Sequence, residues 1–332
     1  MRFTPDILRK HAQVLVEKET KKDRSIQAAY LRGSLLYGSP LIGGAGDIDL
    51  VFVHNFPPAD KREIRKLTPQ IHFDIEHHDQ LLYNSPRELR LDPWLGPTLR
   101  DAVPLHDPRH LLDYTQSGVR SNFDFPENIQ ARSTRLIQEA RQFWMDRQIN
   151  PPLDAFEEIP AFLSALEQAV NAVCLLSGPP LATRRLGMDF PQRAEAVGAP
   201  GLNIAFSHLL GTVNPGKETL AGWLGAWTEA MSALKQNPDP APFLVEQETY
   251  FLAALEKQLL SPRPLDGLWP LLSTWAALVR AQSDRTELQA PWIKALTTLG
   301  FAGGDYHVRL AAFDGFLEIC ESLIEKTANG SL

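Results

Sequence analysis

The pattern of apolar and polar positions changes period near residue 110. Before that point the apolar runs are short and mostly strand-like. Thr4 followed by Pro5 predicts a capped helix start, with Ile7, Leu8, Ala12, Leu15 and Val16 on one stripe. Residues 25–31 read as a first strand. A second strand opens with Asp47-Ile48-Asp49, and its tail from Leu50 to Val53 is continuously apolar, as expected of a strand buried on both faces. Asn55-Phe56-Pro57-Pro58 breaks the backbone, and the basic stretch 59–67 is predicted as a helix ended by Pro69. Residues 70–77 alternate as a third strand. Ser85-Pro86-Arg87-Glu88 marks another helix start, and 102–108 a short edge strand, because Pro104 cannot donate to a central ladder. The expected fold class is therefore α+β over residues 1–110, a small mixed sheet of three or four strands with helices on it.

From 111 onward the strand signals stop. Residues 127–147, 157–177, 216–235, 246–260, 265–282, 291–299 and 306–326 space their apolar side chains at helical period. Proline-rich connections separate them at Asn150-Pro151-Pro152, Gly178-Pro179-Pro180, 237–242 and 261–264. No fixed-period repeat is present, so a solenoid is excluded. The expectation is an all-α domain over 111–332 that completes a substrate cleft, with Trp223, Trp227, Trp269, Trp275 and Trp292 in its core.

Composition narrows the classes. The chain has 332 residues, 44% hydrophobic and 22% charged, which is ordinary for a globular protein of two domains. Its formal net charge of −7 speaks against a nucleic-acid partner, which calls for a basic face, and suits a cationic small molecule better. Two cysteines, Cys174 and Cys320, both in predicted helices, imply neither a disulfide framework nor a zinc site. With no apolar leader at the N-terminus and no apolar run of ~18 residues, the expected location is cytoplasmic, away from membranes.

The candidate chemistry is concentrated between Tyr30 and His78. Gly33-Ser34 ends the first strand, and Gly43-Gly44-Ala45-Gly46 leads into the second. Glycine lets backbone N–H groups approach an anion, and Ser34 adds a hydroxyl. Side chains two apart in a strand share a face, so Asp47 and Asp49 project together, their Cα atoms roughly 6–7 Å apart, while Ile48 turns into the core. Carboxylates so close repel, and they either share a proton or bind a cation. Hard oxygen donors without cysteine favour Mg²⁺. On the third strand Asp74 and Glu76 share a face. Asp74 offers a third metal ligand, and Glu76 is a candidate general base, or else a solvated strand-end acid. His72 and His78 bracket that face and form, with the two acids, a lesser candidate for a transition-metal site.

Gly33-Ser34, then Asp47-Ile48-Asp49, then a later strand carrying Asp74, resembles the signature of the DNA polymerase β-like nucleotidyltransferase superfamily, its minimal and antibiotic-modifying members above all. The resemblance covers about the first third of the chain. It implies that 1–110 is a nucleotidyltransferase palm, that Asp47 and Asp49 hold two Mg²⁺ ions, and that Asp74 completes the acceptor-side one. Gly33 and Ser34 would hold the β- and γ-phosphates of a nucleoside triphosphate, with Arg184 and Arg185 reaching its tail from the helical domain. The implied reaction moves AMP from ATP to a hydroxyl of a small molecule, aminoglycoside-like, and releases pyrophosphate. Two other readings stand beside it: transfer to a protein or RNA, as in antitoxin-type enzymes, and a protein that binds nucleotide without turnover.

Overall fold

The computed structural model describes residues 3–38, 40–151, 155–211, 215–236, 242–282, 285–301 and 304–328. The chain divides into two compact units, up to Asn128 and from Ile129 onward.

The first unit begins with helix α1 (Pro5–Lys22), where Thr4 Oγ1 accepts the Ile7 N–H at 3.3 Å and Pro5 occupies the first turn. Strands β1 (Ile26–Arg32), β2 (Gly46–His54), β3 (Arg62–Lys66), β4 (Ile71–Asp79) and β5 (Val103–His106) form one mixed sheet in the order β3-β4-β2-β1-β5. β2 pairs antiparallel with β1 and parallel with β4. β5 lies at one edge, where Pro104 is tolerated, and β3 at the other. Helices α2 (Pro86–Arg90), α3 (Leu95–Asp101) and α4 (Leu111–Arg120) complete the unit.

Strand alternation gives the sheet two cores. Ile48, Leu50, Phe52, Phe73 and Ile75 pack with Leu8, Ala12 and Val16 of α1 on one face. Ala28, Tyr30, Val51 and Val53 pack with Leu89, Leu99, Leu112 and Val119 from α2, α3 and α4 on the other. The acids at 47, 49, 74 and 76 have the phase of this second face.

Two expectations are corrected here. Residues 59–67 are not a helix: Arg62 to Lys66 pair antiparallel with β4, from Arg62 opposite Glu76 to Lys66 opposite His72, so the sheet has five strands rather than three or four. Long-range pairing overrides the local preference, and an edge position accepts the charged side chains. The boundary also lies beyond 110, because α4 belongs with the sheet. Gln116, 4% exposed, donates to the carbonyls of Leu99 and Ala102, both at 2.8 Å, and pins α4 to the end of α3.

The second unit is helical: α5 (Pro126–Ile149), α6 (Ala155–Cys174), α7 (Thr183–Ala196), α8 (Gly201–Leu210), α9 (Lys217–Lys235), α10 (Pro242–Glu246), α11 (Glu248–Leu259), α12 (Leu268–Arg280), α13 (Thr286–Thr298) and α14 (Gly304–Ala328). The periodicity located most of these, but α7, α8 and α10 are additions. Of the predicted connections, Pro152 and 237–241 lie outside the described residues. The five tryptophans are core, as expected, with Trp227 donating to Thr274 Oγ1 at 2.9 Å. Among the described residues no helix is long and apolar enough to cross a membrane.

Burial raises two acids in this unit, Asp266 and, further, Glu167. It pushes the Glu167 carboxyl up to about 7, against the opposing hydrogen bond with Thr183. A carboxyl whose folded-state pKa lies above its unfolded value holds its proton longer when folded, so stability falls as pH rises from about 4 towards 7. Glu167→Gln removes that loss. The variant is expected to gain about 1–3 kcal/mol over wild type in urea unfolding at pH 8, and nothing at pH 4. Equal stabilities at pH 8 would contradict the assignment.

Candidate metal and phosphate site

Parallel pairing of β2 with β4 builds the site. The register sets Asp49 opposite Asp74 and Asp47 opposite His72, so three carboxylates chosen by period two on separate strands converge on one face. Each of Asp47, Asp49 and Asp74 offers an oxygen within 4.8 Å of the others, and among the described residues no other group of three acids, histidines or cysteines does so. Asp47 and Asp74 are 5% and 2% exposed, while Asp49 keeps some solvent access. Burial, and then the Asp47 carboxylate, push the Asp49 carboxyl well above the usual range, against the pull of Arg32.

The strand β1 turns away at Gly33, which begins a short 3-10 turn through Leu36. Gly33 has φ +76°, a left-handed conformation, and a Cβ there would overlap the Asp49 carboxylate. Both constraints favour glycine. Beside it, Ser34 Oγ is buried without a hydrogen-bond partner, an exception to the rule that buried hydroxyls are satisfied. Three hard oxygen donors, a backbone that approaches them without a side chain, and an unsatisfied hydroxyl alongside fit a divalent cation and an anionic ligand.

Two arginines that the sequence reading missed enter the site. Arg32 is the last residue of β1 and pairs in register with Asp49; its Nη2 donates to Glu76 Oε1 at 2.5 Å. Arg62, on β3, makes a two-pronged contact with Asp74, from Nε to Oδ1 at 2.7 Å and from Nη2 to Oδ2. Arg32 could have been noticed as a charge ending an apolar strand one residue before Gly33. Arg62 was hidden by the helical reading of 59–67.

Glu76 lies on the predicted face but has a different role from the one expected. Burial alone would raise its carboxyl, yet the hydrogen bond with His78 and the charge of Arg32 more than offset this and bring it down to about 2. A carboxylate held so low accepts a proton poorly at neutral pH, and the ion pair gives Glu76 the place of counter-ion to Arg32. Behind it, His78 Nε2 lies 3.2 Å from Glu76 Oε2 and His78 Nδ1 2.7 Å from Tyr83 OH, which meets Tyr30 OH at 3.0 Å. This chain of contacts ties His78 to its neighbours, and the cluster of His72, Asp74, Glu76 and His78 does not assemble as a metal site.

Arg184 is a correction of another kind. It is 4% exposed in the helical unit, its guanidinium 3.2 Å from the centre of the Tyr250 ring and bonded to the Tyr250 carbonyl at 3.1 Å. That enclosure makes it a packing residue of α7 and α11, not an arm for a phosphate. Arg185 is partly exposed and contacts Asp189 at 3.4 Å. No protein-family model matches the chain, and a search of curated proteins finds no match.

The contact between Gly33 and Asp49 yields a test. Gly33→Ala is expected to lose about 2–4 kcal/mol of stability in thermal or urea unfolding, through strain and overlap together. It should also weaken Mn²⁺ binding. Gly44→Ala is the control: Gly44 has φ +82° but nothing within 4 Å of its Cβ position, so about 1 kcal/mol of strain is expected. Equal losses in the two variants would show that the approach to Asp49 does not constrain position 33.

Proposed function

We propose that this protein is a Mg²⁺-dependent nucleotidyltransferase that moves AMP from ATP to a hydroxyl of a small molecule and releases pyrophosphate. The observation that supports it most is the convergence of Asp47, Asp49 and Asp74 beside a left-handed turn at Gly33 that favours glycine, with Ser34 Oγ unsatisfied at that turn. On this reading the sheet unit is the nucleotidyltransferase palm. Asp47 and Asp49 would hold two Mg²⁺ ions, with Asp74 joining the acceptor-side one. The bound ions would neutralise charge on the reacting phosphoryl group and on the departing pyrophosphate.

The protein's own residues bind and orient. The Ser34 hydroxyl and the backbone N–H groups of its turn take phosphate oxygens, which the lack of a side chain at Gly33 lets approach the acids. Arg32, fixed through Glu76, His78 and the two tyrosines, keeps positive charge beside Asp49 without being free to swing. The new ester bond forms between the acceptor oxygen and the α-phosphorus as the bond to the bridging oxygen breaks; pyrophosphate leaves with that electron pair and the hydroxyl proton passes to solvent. Positioning and charge stabilisation supply most of the rate in such transfers. The net charge of −7 favours a cationic acceptor, and an aminoglycoside-like amine-bearing sugar is the first to try.

The test is pyrophosphate release with Mg²⁺ and each of the four nucleoside triphosphates, against a panel of aminoglycosides and a cell extract. Release is expected with ATP and a small hydroxyl-bearing acceptor, and it should fall by about 10³-fold or more in Asp49→Asn. Label appearing on a macromolecule would replace the small acceptor with a protein or RNA. Nucleotide that binds but yields no pyrophosphate with any acceptor would sink the enzyme reading.

A further inference from the structure

The carboxylates of Asp47, Asp49 and Asp74 are not alone with solvent. Arg62 grips both oxygens of Asp74, and Arg32 stands between Glu76 and Asp49. Two guanidiniums thus stand among the acids at 47, 49, 74 and 76. The two arginines are held differently. Arg32 is anchored on a central strand, its side chain 22% exposed and its acid partner tied in turn to His78. Arg62 is 39% exposed and sits on β3, an edge strand bonded on one side only. Asp74 is buried, so its charge requires a partner at all times. A guanidinium fork on both oxygens uses the lone pairs that a metal ion would need.

We propose that Arg62 is a built-in competitor of the divalent cation for Asp74. In the metal-free protein it compensates the buried carboxylate; when the cation takes Asp74, Arg62 swings outward with its exposed side chain into solvent. Asp47 and Asp49 are thus the residues that receive an ion first, and Asp74 joins only at the expense of the Arg62 pair. Binding at the third carboxylate is weaker than three acids alone would give, and the site keeps its fold when empty. The inference rests on the reading of the three acids as metal ligands, but not on nucleotidyl transfer.

Mn²⁺ binding to the full chain, followed by electron paramagnetic resonance and calorimetry, tests it without reference to activity. Arg62→Gln is expected to bind Mn²⁺ about tenfold or more tighter than wild type, since a nearby positive charge repelling a divalent ion has been removed. Arg62→Lys, which keeps the charge but not the fork, should fall between them. Without metal, Arg62→Gln should melt below wild type, because Asp74 is left uncompensated, and Mn²⁺ should raise its melting temperature by more than it raises that of wild type. A purely structural arginine would lower the melting temperature without tightening the binding, and unchanged or weaker Mn²⁺ affinity in folded Arg62→Gln would overturn the proposal. Asp49→Asn separates the two levels. If wild type binds Mn²⁺ and Asp49→Asn does not, the acids are the metal site whatever Arg62 does. If both bind equally or neither binds, the metal reading fails and the competition with it.

Discussion

Crowding of negative charge is the constraint around which the first unit is arranged. Three carboxylates on adjacent strands, two of them nearly sealed from water, would drive the strands apart unless compensated. The compensation comes from both sides of the pair that carries them, Arg32 from β1 and Arg62 from β3. The sheet order places those strands as the outer neighbours of β2 and β4, so the topology itself brings a cation to each flank. The apolar alternation on the opposite face, packed on α1, supplies the burial that holds the acids in register.

Much of this was legible in the sequence because it is written locally. Asp47 and Asp49 share a face by period two, Ile48 between them is fully buried, and Thr4 with Pro5 opens a helix by short-range rules. What was not legible depends on partners distant in sequence. Arg62 to Lys66 is charged at nearly every position and shows no strand alternation; only pairing with β4 makes it a strand. Glu76 was placed on the correct face, but its basicity is set by burial, by the hydrogen bond with His78 and by the charge of Arg32, which lies more than forty residues away. Arg184 was expected with Arg185 at the tail of a nucleoside triphosphate, and nothing nearby in the chain shows that the Tyr250 ring lies against it.

The helical unit obeys simpler rules. Its core is a continuous apolar packing around Trp227, Trp269 and Trp275; the Trp227 indole donates to Thr274, while the indole N–H groups of Trp269 and Trp275 are buried without a partner. Glu167, partly buried on α6, is raised by burial against the hydrogen bond with Thr183. Arg141, by contrast, is clamped between Asp314 and Glu321 of α14, an ion-pair network joining the first and last helices of the unit. The ends of the helical stretch are thereby brought together in space.

The parallel pairing of β2 with β4 also sets how far apart in the chain the parts of the site lie. β4 lies between β2 and β3, although β3 precedes it in the chain. The hairpin of β1 and β2 is made from near neighbours, whereas Asp74 reaches Asp49 only after the intervening segment has looped out and β4 has filled the place beside β2. Asp47 and Asp49 are thus held by pairing between near neighbours in the chain, and Asp74 by pairing that spans the β3 segment. The strand that brings the third carboxylate is also the one that pairs with β3, so the acid and the arginine that compensates it enter the sheet as one hydrogen-bonded unit.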